Sequence, residues 1–219
     1  MRGVIFSVAV VVGVMQTIAG ASAEPMSRIP AANRVSTFMR VYGPAQPPYG
    51  FVRLCESKPE LCQSNGLEEI RFQPSAIALS ELDGVNRSIN HSIRPATDQE
   101  IYGVSEYWTI PDDRGDCEDY ALLKQKTLIA RGWPSSALLM TVVRDEKGEG
   151  HAVLTARTAQ GDYILDNKVD GVNFWSKSGY DFVMRQSYID PRVWVSLDPS
   201  RALVPQSLAG VREGRGDAK

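Results

Sequence analysis

Positive charge is nowhere concentrated in this 219-residue chain: 24 Lys and Arg stand against 26 Asp and Glu. No basic cluster of the kind that tracks phosphates is present, which argues against nucleic acid as a partner. After the first 25 residues no segment has the apolar length of a membrane span. Histidine is limited to His91 and His151, so chemistry that needs an imidazole has two candidates. Cysteine is limited to Cys55, Cys62 and Cys117, and three thiols cannot all pair among themselves.

The chain opens MRGVIFSVAVVVGVMQTIAGASAEP, with one basic residue near the start, an apolar run, and small residues ending in Ala21-Ser22-Ala23. This reads as a secretory signal peptide over residues 1–23 with cleavage before Glu24, the alternative being a retained membrane anchor. Residues 24–200 are long enough for one domain with a substantial core and short for two. The polar, glycine-bearing stretch within 201–219 reads as a loose tail, and the RGD at 215–217 as a chance triplet in it. Export places the thiols in an oxidising compartment. Cys55 and Cys62, in LCESKPELCQ, are close enough to close a small loop across Pro59. Cys117 is left over, as a buried free thiol, an intermolecular partner or a reactive nucleophile.

RVYGPAQPPYGF, residues 40–51, reads as irregular from its proline and glycine content. Leu82, Val85, Ile89 and Ile93 recur at helical spacing up to Pro95, predicting an amphipathic helix on which His91 is a half-exposed bystander. A second helix is predicted from Asp116 to Arg131, stopped by Gly132. Beyond it SALLMTVVR, HAVLTAR and YILDN read as antiparallel strands separated by the turns EKGEG and TAQGD, with VWVSL as a final strand.

Cys117 sits in the first turn of the predicted helix, where free backbone N–H groups and the macrodipole favour thiolate over thiol. A thiolate nucleophile needs a partner that takes and returns a proton, and His151, at the start of a strand after Gly150, is the better placed histidine. Asp166 ends the neighbouring strand and is the chosen group to orient that imidazole, with Asp162 and Asp170 as substitutes. With the turn centred near Gln160, His151 falls opposite a residue beyond Asp166, so their contact requires a diagonal pairing or a bulge.

GDCEDYALLK, GHAVL, ILDN and RQSYIDPRVW, in this order, resemble the bacterial transglutaminase-like cysteine peptidases; YGVSEYWTIP and GWPSSALLMTVVRD extend the likeness over most of the mature chain. The resemblance implies an α+β, papain-like/transglutaminase-like fold with the catalytic helix packed on an antiparallel β-sheet. It also implies Cys117, His151 and Asp166 as a catalytic triad, the small disulfide loop, and a periplasmic location. In the LapG-type branch of that family, the implied substrate is a large surface adhesin whose cleavage frees the cell from a biofilm, under control of an inner-membrane regulatory receptor.

Asp116, Glu118 and Asp119 flank the thiol and oppose its ionisation. Helix capping accounts for such acids, with Asp116 at the N-cap and Asp119 three residues on. Calcium is the other account: the resembled branch depends on it through the DCED acids, here Asp116, Glu118 and Asp119, with Asp112 and Asp113 just upstream. The spacing is not that of an EF-hand loop, and no organic cofactor is implied. The expected mechanism is peptide hydrolysis through a thioester, with the Cys117 backbone N–H as an oxyanion donor and Trp108 as a weaker suggestion, core packing being its alternative role. Transglutaminase or amidase chemistry on the same residues, and a non-catalytic calcium-responsive binding protein, are the rival readings.

Overall fold

The apolar, β-branched segments that follow the cysteine helix build most of one antiparallel sheet, seen in a computed structural model that describes residues 36–63 and 69–201. The expected signal peptide, residues 202–219 and the RGD triplet lie outside the described residues. In chain order the elements are β1 (Gly43–Ala45), α1 (Tyr49–Ser57), α2 (Ala76–Ser92), β2 (Arg94–Pro95), α3 (Asp98–Tyr102), β3 (Arg114–Gly115) and α4 (Cys117–Ala130). Then follow β4 (Leu138–Arg144), β5 (Gly150–Thr158), β6 (Gly161–Leu165), β7 (Asn173–Phe174), β8 (Asp181–Gln186) and β9 (Trp194–Ser196). The main sheet has the order β1-β9-β8-β4-β5-β6-β7, and β2 and β3 form a separate parallel pair.

Residues 40–51 are more regular than their proline content suggests. They hold β1, which pairs with β9, and the start of α1, with Pro48 at the N-cap position where its missing N–H is harmless. The predicted helix around Leu82 begins earlier, at Ala76, because the Ser75 hydroxyl accepts the Ala78 N–H at 3.1 Å. Cys55 and Cys62 are joined by a disulfide that ties α1 to the turn after it.

Helix α4 lies between α2 and the sheet. Leu82, Val85 and Ile89 of α2 meet Tyr120 and Leu128 of α4 in one core with Leu138, Met140, Leu154, Ala156 and Leu165 of the sheet. Seven of its fourteen residues are buried, including Glu118, Asp119 and Lys124, which explains why α4 lacks the apolar stripe of a surface helix. The other sheet face is covered too, by a smaller cluster of Met39, Val143, Val153, Ile164 and Leu197. The three central strands are therefore buried on both sides and read as near-continuous apolar runs. No helix among the described residues is long and apolar enough to cross a membrane.

Around Trp108 the packing leaves no slack. A methyl on Gly50 would stand 2.4 Å from the Trp108 ring, itself packed edge-on against Phe51 and Trp194. Gly50→Ala is expected to lower stability by about 1–3 kcal/mol, the usual cost of overpacking, measured as the shift of a urea unfolding midpoint.

Candidate active site

Cys117 is the first residue of α4 and the one free cysteine among the described residues. Its Sγ lies 3.4 Å from the Ala152 N–H of β5, which points at it, and 3.2 Å from Glu118 Oε2, to which the thiol donates. Burial pushes the thiol well above its ordinary pKa, the charges of Glu118 and Asp116 add to this, and the Ala152 N–H works against it.

His151 precedes Ala152 and is buried at 3 % exposure, with Nε2 2.8 Å from Asp166 Oδ1. The ladder between β5 and β6 ends at Leu154↔Leu165, so residue 151 would face residue 168 in register. Asp166 reaches the ring because the chain leaves the ladder at that point, which realises the diagonal contact required by the turn length. Its Oδ1 also accepts the Lys168 N–H at 2.9 Å, and its Oδ2 accepts the Tyr180 hydroxyl at 2.6 Å. Burial alone would raise the Asp166 carboxyl, but bonds from His151, Tyr180 and Lys168 outweigh it and hold the group below the usual carboxylate range.

Cys117 and His151 line one open cleft of about 400 Å³ with Pro95, Thr97, Gly150 and Asn167. A larger cavity of about 620 Å³ lies along the other half of α4, around Leu122, Ile129 and Trp133, and includes none of these groups. Asp162 is held at the far end of β6 by the Met39 N–H at 2.8 Å and Arg71 at 3.1 Å, and Asp170 pairs with the exposed His91 at 3.1 Å. Neither takes the place of Asp166. Trp108 is buried in the core with its Nε1 donating to Glu106 at 3.0 Å, so the core role weighed for it is the one observed.

The acids beside the thiol do not behave as a simple cap. Asp116 occupies the N-cap position, but its side chain makes no capping hydrogen bond; its Oδ2 accepts the Asp98 N–H at 3.2 Å instead. Asp119 turns to the Thr109 N–H at 2.9 Å. The carboxylates that converge are Asp116, Glu118 and Asp98 of α3, with ligand atoms all within 4.8 Å of one another; Asp119 is not among them. Asp112 and Asp113 are exposed, and Asp113 pairs with Arg94. Burial, followed by the Asp116 charge, pushes Glu118 far above the carboxylate range. Burial likewise raises Asp98 to about 6 and Asp119 to about 7. Asp98 Oδ1 and Asp116 Oδ1 are buried without a partner. An all-oxygen donor set with orphaned carboxylate oxygens fits a hard cation such as calcium.

Sequence reasoning missed Asp98 and Tyr180. The Thr97–Glu100 capping box announces the start of α3, but nothing local brings Asp98 to residue 116, and Tyr180 reaches Asp166 only through the sheet.

A thiol at the first turn of a helix, laid across an antiparallel sheet that brings a histidine and its carboxylate to the same end, is the arrangement of a cysteine peptidase with a transglutaminase-like α+β fold. The family profile for the bacterial transglutaminase-like cysteine proteinases (BTLCP) matches residues 41–202, and the chain belongs to that family. Among solved structures, calcium-bound LapG from Legionella pneumophila is similar at 26% identity, covering 63% of this chain and 77% of that one with a TM-score of 0.46. A second LapG structure from the same organism is 30% identical, covering 53% and 67% with a TM-score of 0.45. An EGTA-treated form is 28% identical over 57% and 69%, with a TM-score of 0.45. No curated protein matches the chain.

The raised Asp119 carboxyl has a sign that can be measured. Its pKa is 3.8 ordinarily and about 7 when folded, so between these values the folded state holds more proton, and this contribution to stability is lost as pH rises. In chelator, Asp119→Asn is expected to gain melting temperature relative to wild type from about pH 5 to about pH 8, read by thermal unfolding.

Proposed function

We propose that this exported cysteine peptidase uses Cys117 as nucleophile, His151 as general acid and base and Asp166 to orient the imidazole. The observation that carries this reading is the 2.8 Å His151–Asp166 bond beside the cleft in which the Ala152 N–H addresses the Cys117 sulfur. With Nε2 engaged by Asp166, Nδ1 is the ring nitrogen left for the thiol. Proton transfer to His151 frees the thiolate, which attacks a peptide carbonyl. The imidazolium protonates the leaving amine, and His151 then takes a proton from the water that hydrolyses the thioester. The Cys117 N–H, at the start of α4, has no intrahelical partner and is a natural donor to the oxyanion.

Calcium binding belongs to the same proposal, with Asp98, Asp116 and Glu118 as the holding carboxylates and Asp119 beside them. A bound calcium ion supplies positive charge that offsets the acids keeping the thiol protonated. The motif-like opening segment and the DCED resemblance support a periplasmic enzyme that cuts a large surface adhesin under the control of an inner-membrane receptor.

The test uses purified residues 24–219 incubated with surface proteins of the source bacterium, with calcium or EGTA, followed by N-terminal sequencing of new fragments. Cleavage that requires calcium and falls at least about a thousandfold in Cys117→Ala is expected. Incorporation of an added primary amine without new N-termini would replace hydrolysis by transglutaminase chemistry. Fragments from Cys117→Ala equal to those from wild type would contradict the nucleophile assignment.

A further inference from the structure

Tyr180 stands just before β8, at the sheet end where β4 closes against it through Arg144↔Asp181 and where Val143 faces His151. A break in register between Val142 and Val143 lets β8 bend here, beside the residues of the proposed triad. The Tyr180 hydroxyl donates to Asp166 Oδ2 at 2.6 Å, while its ring meets the imidazole edge-on with centroids 5.7 Å apart. One side chain therefore touches both members of the His–Asp pair.

We propose that Tyr180 is a positioning residue: its hydroxyl fixes one oxygen of Asp166 so that the other stays on His151, and its ring keeps water from their hydrogen bond. The inference rests on the triad reading above. A carboxylate held at one oxygen alone can rotate and release the imidazole. With Oδ1 on His151 and the Lys168 N–H and Oδ2 on Tyr180, its plane is set from two directions. The Asn90 side chain adds a bond to the Asp166 carbonyl at 2.9 Å, which anchors the backbone of the same residue to α2.

The charged and titratable neighbours come from every side. Lys124 of α4 is buried and faces Asp166 and Asp170. Asp145 and Glu146, in the β4–β5 turn, face Tyr180, and Lys168 holds Asp145 at 2.8 Å. Tyr180 and Asp166 each push the other's titration away from neutrality: the phenol is raised, by burial and then by the carboxylate, and the carboxylate is lowered. The phenol therefore stays a donor throughout the working range.

The test reads the rate of Cys117 alkylation by iodoacetamide against pH and needs no substrate. Tyr180→Phe keeps the ring and removes the donor, so Asp166 holds the imidazole less firmly; the thiolate–imidazolium pair then forms only at higher pH and the acid limb of the profile moves up, by about half to one pH unit. Site-specific replacement of Tyr180 by 3-fluorotyrosine keeps the fold and makes the phenol a stronger donor, so the limb moves down. A merely structural tyrosine moves neither limb in this paired way. Profiles of both variants that superimpose on wild type, while Asp166→Asn alters the profile, overturn the role of Tyr180 and leave the triad standing. An unaltered profile in Asp166→Asn as well overturns the triad reading and this inference with it.

Discussion

The point at which β6 leaves β5 governs the site. Their ladder ends at Leu154↔Leu165, so the Ala152 N–H, two residues earlier on β5, has no β6 partner. Two things follow from that one departure. The free amide turns to the Cys117 sulfur, and the first residue past β6, Asp166, swings across to His151. Had the ladder run three residues further, the amide would be consumed and residue 151 would face Lys168. Because α4 is held between α2 and the sheet, the sulfur is delivered by a rigid element and not by a loop.

Electrostatics pulls against this geometry. A helix N-terminus favours thiolate, yet burial and adjacent carboxylates hold Cys117 protonated. Three carboxyl groups are drawn together, two of them with orphaned buried oxygens, and burial with their mutual repulsion raises Asp98 and Glu118. Positive charge at that place would relieve the acids and the thiol together. Asp98 belongs to α3, which begins beside Thr97 in the cleft wall, so the acid cluster and the cleft share one short segment.

Much of this was legible in the sequence wherever local signals act. The helix expected from Asp116 to Arg131 spans Cys117–Ala130, and SALLMTVVR, HAVLTAR, YILDN and VWVSL all contain strands. The turn length correctly required an off-register His151–Asp166 contact. What escaped depends on long-range packing. Strand β8 was not expected because DFVMRQ has no clean alternation, and β1 was hidden among prolines that pairing with β9 tolerates. The acids near Cys117 suggested a cap, but backbone amides of Asp98 and Thr109, remote in sequence, claim the Asp116 and Asp119 carboxylates. Tyr180 and Asp98 carry no motif, and only the tertiary fold shows what they touch.

The central claim is that His151, held by Asp166, makes the Cys117 thiol reactive against its surroundings. The most direct measurement is the pH dependence of Cys117 alkylation in calcium-loaded wild type and His151→Ala. The account predicts a wild-type inflection below the ordinary cysteine value of about 8.5, moving above it when the imidazole is removed. Coincident profiles with a single inflection at or above the ordinary value would contradict it, leaving a buried thiol that happens to share a cleft with a histidine.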